Sequence, residues 1–157
     1  MLKIGKLLAA AAFALTVVTG GQALSQTTSR DLAAEEANRQ LVVDFYNRIF
    51  TKHDMTGADI MADDYIQHNP KVPNGKAPFV EHFTRFFAAN KDSRNRIVRS
   101  AANGDLVWLH VHARGKEDGT GGIAIVDIFR VENGKIVEHW DVAQPVPDES
   151  ANGNTMF

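Results

Sequence analysis

Between residues 31 and 50 apolar side chains recur at every fourth position, Ala33, Ala37, Leu41, Phe45 and Ile49, with polar residues filling most of the gaps. That spacing predicts an amphipathic helix, and Ser29 or Thr28 stands where a cap for its first turn belongs. A shorter helix is expected over residues 57–62. It delivers the chain to Tyr65-Ile66-Gln67-His68-Asn69-Pro70, where Pro70 pushes Asn69 toward extended geometry and stops any helix. Pro78 suits the opening turn of a third helix that runs to about Asn90. Along it Phe79, Phe83, Phe86 and Phe87 fall three or four apart, an aromatic stripe that serves first as a core face and second as a ligand wall.

Beyond Asp92 the period changes to two. Residues 96–101, 106–113, 123–131 and 136–143 read as strands, separated by Asn103-Gly104, by the glycine-rich stretch Gly119 to Gly122, and by Asn133-Gly134. Connections this short make neighbouring strands antiparallel. Three helices followed by a meander define an α+β domain whose helices cover one face of a single sheet. Val107, Leu109 and Val111 form a purely apolar face suited to the core, which turns Trp108, His110 and His112 outward. The glycine-rich stretch leads into a strand and lacks a following Lys-Ser/Thr, so it is read as a hairpin and not as a phosphate loop.

The N-terminus has a different character. Lys3 and Lys6 precede an apolar run from Leu7 to Val18, and Gly20 and Gly21 follow, which is the order of an export signal. Ala23 and Ser25 are the small residues of a cleavage site before Gln26, with a cut after Ala23 as the alternative. The apolar run is well short of the roughly 20 residues of a spanning helix, so no stable membrane anchor is expected after cleavage. The processed protein, residues 26–157, is expected to be periplasmic or secreted as a single domain. The chain has 157 residues, 44% hydrophobic and 23% charged, proportions of an ordinary globular domain. Its formal charge of −2 offers no broad basic field for nucleic acid. The absence of cysteine excludes a disulfide framework, a thiol nucleophile and a thiolate metal site.

The ordered set Tyr65-Ile-Gln-His-Asn-Pro70, Asp127-Ile-Phe-Arg130, Asn133-Gly-Lys-Ile136 and Glu138-His-Trp-Asp141 resembles the SnoaL-like branch of the nuclear transport factor 2-like superfamily. The resemblance runs from about Asp31 to Pro147. It implies a cone in which three N-terminal helices close over a curved antiparallel sheet, a pocket inside the cone, and homodimers formed through the sheet's outer face. Relatives include polyketide cyclases that close a ring by aldol condensation, and more distant ones isomerise steroids or open epoxides. The cyclases keep an acid/base aspartate two residues after a histidine on the last strand, a position matched here by Asp141 after His139. They also carry a histidine three residues before the arginine of the preceding strand, where this chain has Asp127, so a carboxylate replaces an imidazole.

Whether these groups meet depends on one hairpin. A three-residue Glu132-Asn133-Gly134 loop would pair Val131 with Lys135, set Asp127 opposite His139 and Ile125 opposite Asp141, and place all three polar residues on one face. A two-residue Asn-Gly loop would slip the register and separate Asp127 from Asp141. On the first reading Asp141, Asp127 and His139 form the candidate catalytic group. Tyr65, His68, Phe83, Phe87 and Phe129 are the candidate substrate contacts. Burial and like charge raise a carboxylate pKa, and such an aspartate can move a proton from a carbon beside a carbonyl. Two classes of function follow. One is cofactor-free acid/base chemistry (aldol condensation, isomerisation or dehydration) on a small hydrophobic carbonyl compound; the other is a non-catalytic module holding a small apolar ligand. His110 and His112 have metal-compatible spacing but no third ligand at a recognised distance, so no metal is expected.

Mass spectrometry of exported protein checks the leader. A chain starting at Gln26 is expected, and intact Met1 in a membrane fraction would contradict it.

Overall fold

A computed structural model describes residues 30–116 and 119–157; the expected export segment and its cleavage site lie outside them. The first helix, α1, spans Leu32–Tyr46 and continues as a π-helical turn over Asn47–Thr51. Its cap is Asp31, whose carboxylate accepts the Ala34 N–H at 3.0 Å, in place of the residues expected two or three positions earlier. The buried face is Val42, Phe45, Tyr46 and Ile49, while Ala33 and Ala37 are exposed. A strict four-residue repeat drifts by about 40° per step around a helix of 3.6 residues per turn, so the alanines rotate away from the face the aromatics use. Near the start of α1, the half-exposed Arg30 and the buried Glu35 form an ion pair. Glu35 also accepts the Gly104 N–H at 3.0 Å, and Asn38 donates to Gly104 O at 3.2 Å.

A 3₁₀ turn over Met55–Ile60 is capped by Asp54. Gly57 lets this turn lie against the π-helical turn, because a Cβ there would stand 3.0 Å from Arg48 Cβ and 3.2 Å from Ile49 Cδ1. The turn ends earlier than the helix expected at 57–62, because Met61 and Ala62 already belong to a strand. That strand, β1 (Met61–Gln67), was not anticipated. The second long helix, α2 (Lys76–Ala89), presents Phe79 and Phe87 to the core. Two long helices and one short 3₁₀ turn therefore stand where three helices were expected.

Four more strands follow: β2 (Asn95–Asn103), β3 (Leu106–Ala113), β4 (Ile123–Glu132) and β5 (Lys135–Pro145). They match the expected strands apart from end extensions. The sheet order is β1-β5-β4-β3-β2, with β2 to β5 antiparallel and β1 parallel to β5. The expectation of a wholly antiparallel sheet is corrected on that one edge. Antiparallel pairing follows from short hairpins, and β1 reaches β5 only after the intervening helix and meander. No helix among the described residues is long and apolar enough to cross a membrane.

The β4–β5 hairpin resolves the register in an unexpected way. Asn133 and Gly134 both have positive φ, 51° and 73°, and Glu132 pairs with Lys135 across a two-residue loop. The three-residue loop is therefore wrong. However, Arg130 pairs with Glu138 while Val131 pairs with Ile136, so Val137 is the extra residue of a β-bulge. The bulge restores the lost step. Asp127 pairs with Asp141 and Phe129 with His139, in place of the expected Asp127–His139 and Ile125–Asp141 pairs, and the three polar residues still share one face.

That face meets the helices in an aromatic core. Phe45 packs edge-on to Phe129 at 5.8 Å between ring centroids and lies 6.2 Å from Phe79. Val107, Leu109 and Val111 are fully buried, as the alternation on β3 requires. On the opposite face Phe157 stacks on His112 at 4.1 Å and on His110 at 5.4 Å, and His112 is thereby buried.

Phe45→Ala removes the ring at the centre of this cluster, and a loss of about 3–5 kcal/mol in unfolding free energy is expected by denaturant titration. Glu35→Gln tests the tie between α1 and the β2–β3 turn. Arg30 and the Gly104 N–H hold the Glu35 carboxyl below its ordinary range. The stabilisation is present above the unfolded pKa and lost as pH falls through the lower folded value. A lower Tm at neutral pH is expected, with the gap from wild type closing in strong acid.

Candidate active site

On β4 and β5 the bulge turns Asp127, Phe129, His139 and Asp141 toward the helices. There they line a cavity of about 290 Å³ with Tyr46 from α1, Phe50 from the π-helical turn, Tyr65 from β1, and Phe79, Phe83 and Phe87 from α2. The wall is mostly apolar, with eight Phe and Tyr residues in its lining. Asp127 and His139 are buried at 5% and 7% exposure, and Asp141 is half-buried.

His139 Nε2 lies 2.9 Å from Asp127 Oδ1, and its Nδ1 lies 2.9 Å from Gln67 Oε1. Gln67 is brought there by the parallel pairing of β1, which sets it beside His139. Asp141 Oδ2 accepts the Asn69 side-chain N–H at 2.5 Å. Asp127 Oδ2 has no hydrogen-bond partner among the described residues. Burial pushes the Asp127 carboxyl above its ordinary range, and the bond to His139 opposes that shift. No lysine or arginine forms an ion pair with Asp127 or Asp141 among the described residues. The Tyr65 hydroxyl accepts from Gln67 Nε2 at 3.2 Å. Its pKa is raised by burial and further by Asp127 and Asp141, so the phenol remains a neutral donor.

The expected catalytic group, Asp127, His139 and Asp141, is thus assembled, with one ligand-capable atom from each within 4.8 Å of the others. Such a set has the composition of a metal site as well as of a proton-transfer site. Tyr65, Phe83, Phe87 and Phe129 all line the cavity. His68 does not. Its ring stacks on Trp140 at 4.8 Å and its Nε2 meets Glu138 at 2.8 Å. Alternation explains this, because Tyr65 and Gln67 point inward from β1 and His68, one residue on, faces the other way. Gln67, Asn69, Tyr46 and Asn95, whose side-chain N–H donates to the Tyr46 hydroxyl at 3.1 Å, also line the cavity and were missed. Reading 61–67 as a strand would have found the first two, because Tyr65, Gln67 and Asn69 follow at intervals of two. Tyr46 completes the i, i+3, i+4, i+7 set of Val42, Phe45 and Ile49.

The family model of the SnoaL-like domain matches residues 42–139. The chain belongs to the SnoaL-like family. Solved structures agree on the fold. A proposed ketosteroid isomerase from Kribbella flavida shares 15% identity with a TM-score of 0.62, covering 74% of this chain and 84% of that one. An NTF2-like protein of unknown function from Mesorhizobium loti shares 21% identity at TM-score 0.57, over 70% and 93% of the two chains. A proposed polyketide cyclase from Acidithiobacillus ferrooxidans shares 16% at TM-score 0.55, over 68% and 87%. Curated protein sequences contain no significant match to the chain. The SnoaL-like match ends at His139, two residues short of Asp141, so the role of that aspartate rests on its surroundings.

The raised Asp127 pKa has a sign. A carboxyl whose folded pKa exceeds its unfolded one costs stability as pH rises from the ordinary carboxylate value toward the folded value. Asp127→Asn is therefore expected to raise Tm by a few degrees at neutral pH, and the gain should vanish below about pH 4. A gain that persists in acid would contradict the shift.

Proposed function

We propose that this protein is a cofactor-free acid/base catalyst acting on a small hydrophobic carbonyl compound, outside the cytoplasm and as a homodimer through the outer sheet face. The observation that carries the reading is the pairing of Asp127 with Asp141 across β4 and β5, at a largely apolar cavity. There His139 is the basic partner of Asp127, and no lysine or arginine forms an ion pair with either carboxylate among the described residues. A site that only holds neutral ligands gains nothing from carboxylates whose desolvation is costly.

In this mechanism the substrate's apolar body lies against Phe79, Phe83 and Phe129. Asp141 is held through Oδ2 by Asn69, and its Oδ1 takes the proton from the carbon next to the carbonyl. The bonding pair of that C–H bond becomes the enolate, with negative charge on oxygen. The neutral Tyr65 hydroxyl, which lines the cavity, donates to that oxygen in this reading, and in a dry cavity such a bond is worth more than in water. Returning the proton to a different carbon gives isomerisation. Attack of the enolate on a second carbonyl, with the proton on Asp141 passing to the alkoxide that forms, gives aldol closure; transfer of that proton to a β-hydroxyl as its C–O bond breaks releases water and gives dehydration.

Exchange of α-hydrogens with D₂O tests the shared first step without knowledge of the natural substrate. With a panel of hydrophobic ketones such as 2-tetralone, wild type is expected to speed exchange above buffer. Asp141→Asn should lower that rate by about 10²- to 10⁴-fold, and Tyr65→Phe by about 10²- to 10³-fold. Tight ketone binding with no exchange in wild type would favour the non-catalytic ligand-binding module. Equal rates in wild type and Asp141→Asn would remove Asp141 from the chemistry.

A further inference from the structure

The hydrogen bonds around His139 and Asp141 have directions that can be deduced from donor and acceptor counts alone. Gln67 Oε1 receives the backbone N–H of Asn69 at 2.9 Å, and a backbone N–H can only donate. The atom at that position of the Gln67 amide must therefore be its oxygen, which leaves the NH₂ group directed at Tyr65 Oη. The same oxygen stands 2.9 Å from His139 Nδ1 and can only accept, so Nδ1 must carry a hydrogen. A neutral imidazole with hydrogen on Nδ1 has a lone pair on Nε2. That lone pair points at Asp127 Oδ1, which is also an acceptor when ionised, and two acceptors 2.9 Å apart require a proton between them. The Asp127–His139 pair therefore holds one shared proton, either as carboxylate and imidazolium or as carboxylic acid and imidazole.

The same accounting applies to Asp141. Asn69 Oδ1 receives the Lys71 backbone N–H at 2.9 Å, which fixes the Asn69 amide and directs its NH₂ at Asp141 Oδ2. Oδ2 is held as an acceptor, and Oδ1 has no hydrogen bond among the described residues. Two amides from one short segment thus set the proton state of one pair and the orientation of the third group.

We infer that Gln67 and Asn69 are positioning residues. Gln67 locks His139 in its Nδ1–H form, so that Asp127 and His139 act as a one-proton unit, and Asn69 fixes one oxygen of Asp141 so that the other is left for proton exchange. The role of Asp141 rests on the acid/base reading above; the lock on His139 does not. The division of labour is that Asp141 exchanges a proton with substrate while the Asp127–His139 unit keeps its proton count unchanged beside it. Without the Gln67 acceptor, the ring could carry its hydrogen on Nε2 and donate to an ionised Asp127, leaving Nδ1 bare.

Imidazole ¹⁵N NMR of the whole protein reads the lock with no substrate. At neutral pH wild type is expected to show His139 with hydrogen on Nδ1 and a Nε2 resonance displaced by the shared proton. Gln67→Leu removes the acceptor and should admit the Nε2–H form, with exchange activity down by about 10²-fold and KM little changed. Gln67→Glu keeps an acceptor and should restore the Nδ1–H signature. A wild-type spectrum with hydrogen on Nε2 alone, or identical nitrogen shifts in wild type and Gln67→Leu, would overturn the lock. Asn69→Leu should change the activity pH profile while leaving the His139 nitrogens as in wild type; an unchanged profile would overturn the role of Asn69. If the NMR signature holds and Asp141→Asn exchanges ketone hydrogens normally, the lock stands and the acid/base reading falls.

Discussion

Everything at the cavity depends on one extra residue in a ladder. The Asn133-Gly134 turn needs two residues with positive φ, and on its own it would send Asp127 and Asp141 to opposite faces of the sheet. Val137 is inserted without a partner, which shifts the rest of β5 by one residue and brings Asp141 opposite Asp127. A bulge costs ladder hydrogen bonds, and here it lies next to the only strand pair among the described residues that carries facing carboxylates. Such bulges re-aim side chains near functional sites more often than chance would place them.

The second constraint is the parallel edge strand. β1 lies against β5 and sets Gln67 beside His139, and the chain that leaves it places Asn69 against Asp141. The helices then supply the apolar wall, so the cavity combines low polarity with a few polar groups whose orientations are already set. Preorganisation of this kind is where acid/base sites gain most, because no dipoles need to turn during the reaction.

Much of this was legible in the chain. Period two marked β2 to β5 closely, and the placing of Asp127, His139 and Asp141 on one face was right even though the loop that justified it was wrong. Two compensating irregularities, a shorter turn and a bulge, left the face assignment intact, and nothing in the residues 135–138 announces the bulge. β1 was missed for a different reason. Met61-Ala-Asp-Asp carries two residues depleted in strands, and the segment is strand only because β5 offers it an edge. The misplacing of His68 followed directly from that omission. The helical stripe through Ala33 and Ala37 failed because alanine is apolar enough to satisfy a pattern without being large enough to need burial.

A crystal structure of the protein with a hydrophobic ketone in the cavity tests the central claim most directly. The account predicts the carbon next to the carbonyl within about 3.5 Å of Asp141 Oδ1, the carbonyl oxygen facing Tyr65 Oη, and the body of the ligand against Phe79, Phe83 and Phe129. A ligand that fills the same cavity with its carbonyl turned away from Asp127 and Asp141 would contradict it.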